Sequence, residues 1–130
     1  MKKILYIFLF FTFSNLSIAN ENYQEQIDKL FKKLKTSLDY NNSKKIESEI
    51  WDLWTTHPSE KSLTNLLADG SFFMSQNKLD TAYDTFSKTI ELDPNWAEAW
   101  NKRATVLYLM GEYELSQADI NKVLRLEKRH

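Results

Sequence analysis

Side chains able to do chemistry are few in this chain, and they are scattered. The two histidines, His57 beside Pro58 and His130 at the last position, sit in no HExxH spacing and beside no carboxylate that would orient them as bases. Carboxylates are plentiful, but Asp80, Asp84, Glu91, Glu98 and Asp119 fall on helix faces or near helix starts, where solvation and the helix dipole account for them. There is no GxSxG elbow, no glycine-rich phosphate loop, no evident nucleophile and no cysteine. The expectation is a protein that is not an enzyme, with no metal centre and no cofactor.

Binding is the chemistry that remains. Residues 91–113, ELDPNWAEAWNKRATVLYLMGEY, set Trp96 and Trp100 four apart beside Asn101, Lys102 and Arg103, side chains that stack on ligands and hydrogen-bond to them. Carbohydrate or small-molecule binding there needs a solvent-facing tryptophan; the competing reading is a joint between packed helices. A second group, Lys29, Lys32, Lys33, Lys35, Lys44 and Lys45, is interleaved with Asp28, Asp39, Glu47 and Glu49, which makes it a solvated face.

The elements that must position these residues are helical. A chain of 130 residues, 42% hydrophobic and 27% charged, with two glycines and two prolines, is one small helix-rich domain. Lys2 and Lys3 precede an apolar run at 4–13, and Ser17 and Ala19 stand three and one before a cut, so residues 1–19 read as a secretory signal peptide. The run is shorter than the roughly 20 apolar residues of a membrane span. The expected location is therefore exported and periplasmic, the alternative being a tether to the inner membrane through an uncleaved segment. Setting aside Lys2 and Lys3 takes the basic count from 17 to 15 against 18 acidic residues, a net charge of −3 that disfavours nucleic acid.

Self-comparison shows a period of 34. Aligning 63–96 with 97–130 pairs Leu66 with Trp100, Gly70 with Ala104, Phe73 with Leu107, Ala82 with Ser116 and Phe86 with Ile120. Within each unit apolar residues recur at three and four on either side of a polar break, which predicts two amphipathic helices. Asn77 with Asp80, and Asn95 with Glu98, have the spacing of capping boxes, and Pro94 closes the first unit. Gly70 and Ala104 are the small residues that let first and second helices approach closely, facing Ala82 and Ser116.

The pattern resembles the tetratricopeptide repeat, carried by Leu66, Gly70, Phe73, Ala82, Phe86 and Pro94 in one unit and by Trp100, Ala104, Gly111 and Tyr113 in the next. A degenerate third unit falls at 27–60, after a lead-in at 20–26. Lys61 and Ser62 form an insertion before the unit at 63. The resemblance implies an all-α fold of antiparallel helix-turn-helix repeats, stacked as a short right-handed α-solenoid.

It also implies a concave groove on the first helices. Thr64, Leu67, Ser71, Met74 and Ser75 would line it in one unit, and Glu98, Asn101, Thr105, Tyr108 and Leu109 in the next. The Lys and Asn of the family's carboxylate clamp are missing, as Leu67, Ser71, Asn101 and Thr105 stand there, so a partner segment with apolar anchors is expected. Place 7 of three successive units holds Lys33, Asp69 and Arg103, which predicts an ion pair between Asp69 and Arg103 across the repeat boundary, with Lys33 a weaker third member. With place 34 at His130 and Lys128 where proline is usual, the last second helix is expected to show apolar surface through Leu115, Ile120, Val123, Leu124 and Leu126. That surface would seek a partner, more of a longer protein or another copy of the chain. The functional expectation is a protein-protein interaction module of the bacterial envelope, the alternative an assembly element that oligomerises or docks through that helix.

Overall fold

The computed structural model describes residues 2–130, with side chains from residue 19 onward. The segment expected to be a signal peptide therefore has nearly all of its side chains outside the described residues. Among the described residues no helix is long and apolar enough to cross a membrane.

Among the described residues six α-helices make up the fold, and the chain forms two compact units, Met1–Ser59 and Glu60–His130. In the first unit α1 (Lys2–Thr36) and α2 (Tyr40–Thr55) pack as a hairpin through Ile27, Leu30, Ile46, Ile50 and Trp54. Asp39 starts α2 by accepting the Asn42 N–H at 2.7 Å, an N-cap that also holds the tight link after α1. His57 is buried just beyond α2, where its Nδ1 accepts the Ser59 N–H at 3.3 Å.

The second unit holds α3 (Lys61–Ser75), α4 (Leu79–Leu92), α5 (Ala97–Met110) and α6 (Tyr113–Leu126). Each helix packs on its successor, and α3 also touches α5, as first helices of adjacent hairpins do. Both ends of α6 lie 34 residues beyond those of α4. Lys61 and Ser62, the two residues ahead of the unit at 63, are helical and form the first turn of α3. The shared core is Leu63, Leu67, Ala82, Phe86, Ile90, Trp96, Ala99 and Val106.

The period extends to the backbone of the turns. After α3, Asn77 takes a left-handed conformation (φ 56°) while its N–H donates to Met74 at 3.0 Å and that of Lys78 donates to Phe73 at 2.9 Å. After α5, Gly111 (φ 83°) donates to Tyr108 at 3.1 Å and Glu112 to Leu107 at 2.9 Å. Both are Schellman stops, which satisfy carbonyls that the helix end leaves open. The expected capping box at Asn77 is thus corrected: asparagine is there because it tolerates the left-handed region, as glycine does at 111.

The link between hairpins also recurs. Asp93 donates its N–H to Thr89, Trp96 donates to the Asp93 carbonyl at 3.4 Å, and Asn95 donates to Asp93 Oδ1 at 2.9 Å. Thirty-four residues on, Glu127 donates to Val123, His130 to the Glu127 carbonyl at 3.2 Å, and Arg129 to Glu127 Oε1 at 3.0 Å. The second turn forms without Pro94's equivalent, and the Arg129 guanidinium at 2.8 Å from Glu127 braces it. The expected capping box at Asn95 is likewise corrected, since α5 starts after Trp96 with no side-chain cap.

Candidate functional site

Trp96 and Trp100 belong to the joint. Trp96 is 6% exposed and part of the core. Trp100 packs half-buried against the same core and donates its indole N–H to the Pro94 carbonyl at 3.0 Å. Arg103 lies 4.9 Å and Lys122 5.7 Å from the Trp100 ring centroid, so cations cover the face a sugar would need.

Arg103 does not pair with Asp69. Its Nε and Nη2 donate to the two oxygens of Asp119 at 2.7 and 2.9 Å, and its Nη1 to Ser87 Oγ at 3.2 Å. The side chain thus points from α5 toward α4 and α6, whereas Asp69 is exposed on α3 and Lys33 exposed on α1. Place 7 faces second helices, and a long fork there finds Asp119 sixteen residues on. Burial disfavours the cation, but the Asp119 hydrogen bond, the largest influence, together with its charge holds Arg103 above its ordinary value. Asp119, expected to be solvated, is buried for this purpose.

At the small-residue contacts the two hairpins differ. Gly70 is buried, and a Cβ built there would lie 2.5 Å from Phe86 Cε1, so the approach is to that ring. At Ala104 the carbonyl accepts a buried hydrogen bond from Ser116 Oγ at 2.8 Å.

The ten groove positions separate into three sets. Ser75, Thr105, Tyr108 and Leu109 are exposed, and Thr64, Ser71, Met74 and Asn101 are half-buried. Leu67 and Glu98 are buried, and for these two the expectation of a groove surface is corrected. Leu67 is a core residue under α4 and α5. The hydroxyls of Ser71, Ser75 and Thr105 donate to carbonyls of their own helices at 2.9, 2.7 and 3.0 Å, which leaves the lining with few free donors. Tyr108 is 63% exposed and rests edge-on against Tyr113, ring centroids 5.4 Å apart. Leu109 and Met110 beside it are also exposed.

Glu98 is 1% exposed, in the first turn of α5. One oxygen lies 3.3 Å from Lys102 Nζ; the other lies 2.8 Å from His130 Nε2 and accepts from Asn101 Nδ2 at 3.1 Å. Burial pushes this carboxyl up most strongly, yet the close approach of His130, the charges of Lys102 and His130, and the Asn101 amide together hold it below the ordinary carboxylate range. No signal in its own neighbourhood foretells this; the place-34 alignment of His130 with Trp96 is the available clue.

Of the α6 residues expected to be apolar surface, Leu115 and Leu124 are exposed, Ile120 and Leu126 half-buried and Val123 buried. Leu124 is 44% exposed where its counterpart Ile90, covered in the middle of the unit, is 6% exposed. In place of Tyr83 and Ser87 on α4, α6 carries Gln117 and Asn121, hydrogen-bonded at 3.2 Å. Among the described residues no three His, Asp or Glu side chains gather as a metal site requires.

No protein-family model matches the chain. A TPR repeat-containing protein of Rhizobium etli is 36% identical to it over 115 residues, 86% of this chain and 54% of that protein. The chain thus spans about half the length of this relative.

Proposed function

Because the chain belongs to the tetratricopeptide-repeat family, whose members are in general non-enzymatic scaffolds for protein-protein interaction, we propose that it holds a partner segment along the exposed faces of α3 and α5. The observation that carries this reading is Tyr108. It is a large aromatic exposed at a groove place, held in position by Tyr113 and flanked by exposed Leu109. Interfaces are anchored by such aromatics, because they bury much area while losing little rotamer freedom. The hydroxyls around it bond to their own helix, so the partner is recognised through apolar side chains at helical or extended spacing. The lysines at 2 and 3 and the apolar run at 4–13 favour an exported location, and the partner is then an envelope protein.

A second reading rests on Leu124. Its exposure beside that of Leu115 and Tyr113 supports docking or self-association through α6. Capture from envelope extract separates the two. Tyr108→Ala with Met74→Ala strips the partner if the groove holds it, and Leu124→Asp does so if α6 does. A partner retained by the groove variant and lost from the α6 variant overturns the first reading, and light scattering on the purified chain reports whether copies associate.

A further inference from the structure

We propose that Glu98 is a recognition carboxylate at one end of the groove, kept occupied by His130 until a basic side chain of the partner takes the histidine's place. The inference rests on the groove reading and adds to it the charge that a partner would bring. Thr64 and Trp96 hold places 2 and 34 in the preceding unit, a hydroxyl and an apolar staple. In the last unit the same places hold Glu98 and His130, 2.8 Å apart, with side chains 0% and 5% exposed. A buried carboxylate is costly unless satisfied, and elsewhere between α5 and α6 a neutral hydrogen bond, Ser116 to Ala104, makes the contact.

The two oxygens of Glu98 are held differently. Oε1 faces Lys102 from its own helix, four residues on, and that contact stays with α5. Oε2 faces His130, carried by the short turn at 127–130, and Asn101, which is half-buried at a groove place. The Glu127–His130 backbone bond and the Arg129 pair hold the turn together, and the Glu127 N–H bond to Val123 ties its start to α6, so the piece beyond Glu127 can pivot there while α6 keeps its last bond. Lifting it would uncover one carboxylate oxygen beside the Asn101 amide, an acceptor and a donor at the end of an otherwise neutral lining. A lysine or arginine side chain can replace the imidazole there, since each offers a charged donor in the same place.

The test uses the full chain and two probes, the acetylated and amidated tripeptides Gly-Lys-Gly and Gly-norleucine-Gly, with binding followed by NMR shifts of the Asn101 side-chain amide. His130→Ala is expected to bind the lysine peptide at least tenfold more tightly than the wild type and to ignore the norleucine peptide. Adding Glu98→Gln should abolish the gain. His130→Asn, which keeps a donor and less bulk, should fall between and covers the case in which the alanine variant loosens α6. Equal affinity of wild type and His130→Ala, binding that survives Glu98→Gln, or binding of both peptides alike would overturn the proposal. The tripeptide reaches Glu98 without touching Tyr108. Failure here alongside partner loss from the Tyr108→Ala, Met74→Ala variant removes the carboxylate and leaves the groove standing; the reverse pattern does the opposite.

Discussion

At the small-residue contact the α3–α4 hairpin meets through an aromatic ring and the α5–α6 hairpin through a hydrogen bond. Gly70 meets the fully buried Phe86 ring, whereas Ala104 is tied to Ser116 and half-buried Ile120 fills the place of the ring. Trp96 staples the first hairpin to α5; His130 does the equivalent in the second by reaching Glu98. Arg103 stands between them, braced on Ser87 of α4 and Asp119 of α6. One backbone period is thus met by two kinds of chemistry. The apolar kind is strong and hard to exchange, and the polar kind is directional and replaceable by another donor.

The contrast is broken most severely at place 24. Phe86→Ala should cost about 3–5 kcal/mol in chemical denaturation, and Ile120→Ala about 1–2 kcal/mol, because the second site is half-open and collapses more easily. Equal losses would mean that Ile120 is packed as tightly as the Phe86 ring. Arg103→Ala comes next, at about 2 kcal/mol, since it strands Asp119 in a buried site. The paired change Arg103→Met with Asp119→Leu should restore most of that loss in the same measurement.

Gly70→Ala should cost about 1–3 kcal/mol, as the new Cβ must displace a ring that the core holds. At the equivalent place Ala104→Gly should lose only about 1 kcal/mol, a helix-propensity effect. A Gly70→Ala protein with unchanged melting temperature would show that Phe86 has room to move. The smallest effect concerns pH. Glu98 has its folded pKa below its unfolded one, so its stabilisation is fully present above the ordinary carboxylate range. It is lost as pH falls through the lower folded value. Glu98→Gln should flatten that acid limb of the melting temperature curve while Thr64→Ala leaves it unchanged.

Much of this is legible in the amino-acid order. The 34-residue period, the hairpins it implies and the close approach at Gly70 follow from spacing and size. Asn77 misleads because a capping-box spacing and a left-handed stop look alike locally; only its alignment with Gly111 separates them. The partner of Arg103 escapes the sequence for a geometric reason. Equivalent places on neighbouring first helices suggest Asp69, but a side chain leaves its helix in one direction, and there α6 offers Asp119. The groove is legible by place, yet places do not report what covers them, so Leu67 and Glu98 pass for surface until the packing is seen.

The link at 93–96 and the turn at 127–130 share their hydrogen bonds though only one contains proline. For a lineage of such proteins this means that tandem duplication of a 34-residue stretch delivers a new unit with its joint already built in. Substitution can then drift through the copy, from tryptophan to histidine or from proline to lysine, without losing the direction in which the chain leaves. For construction it means that a second copy of 97–130 grafted after His130 should enter its first helix in register, lengthening the array without redesign of the seam.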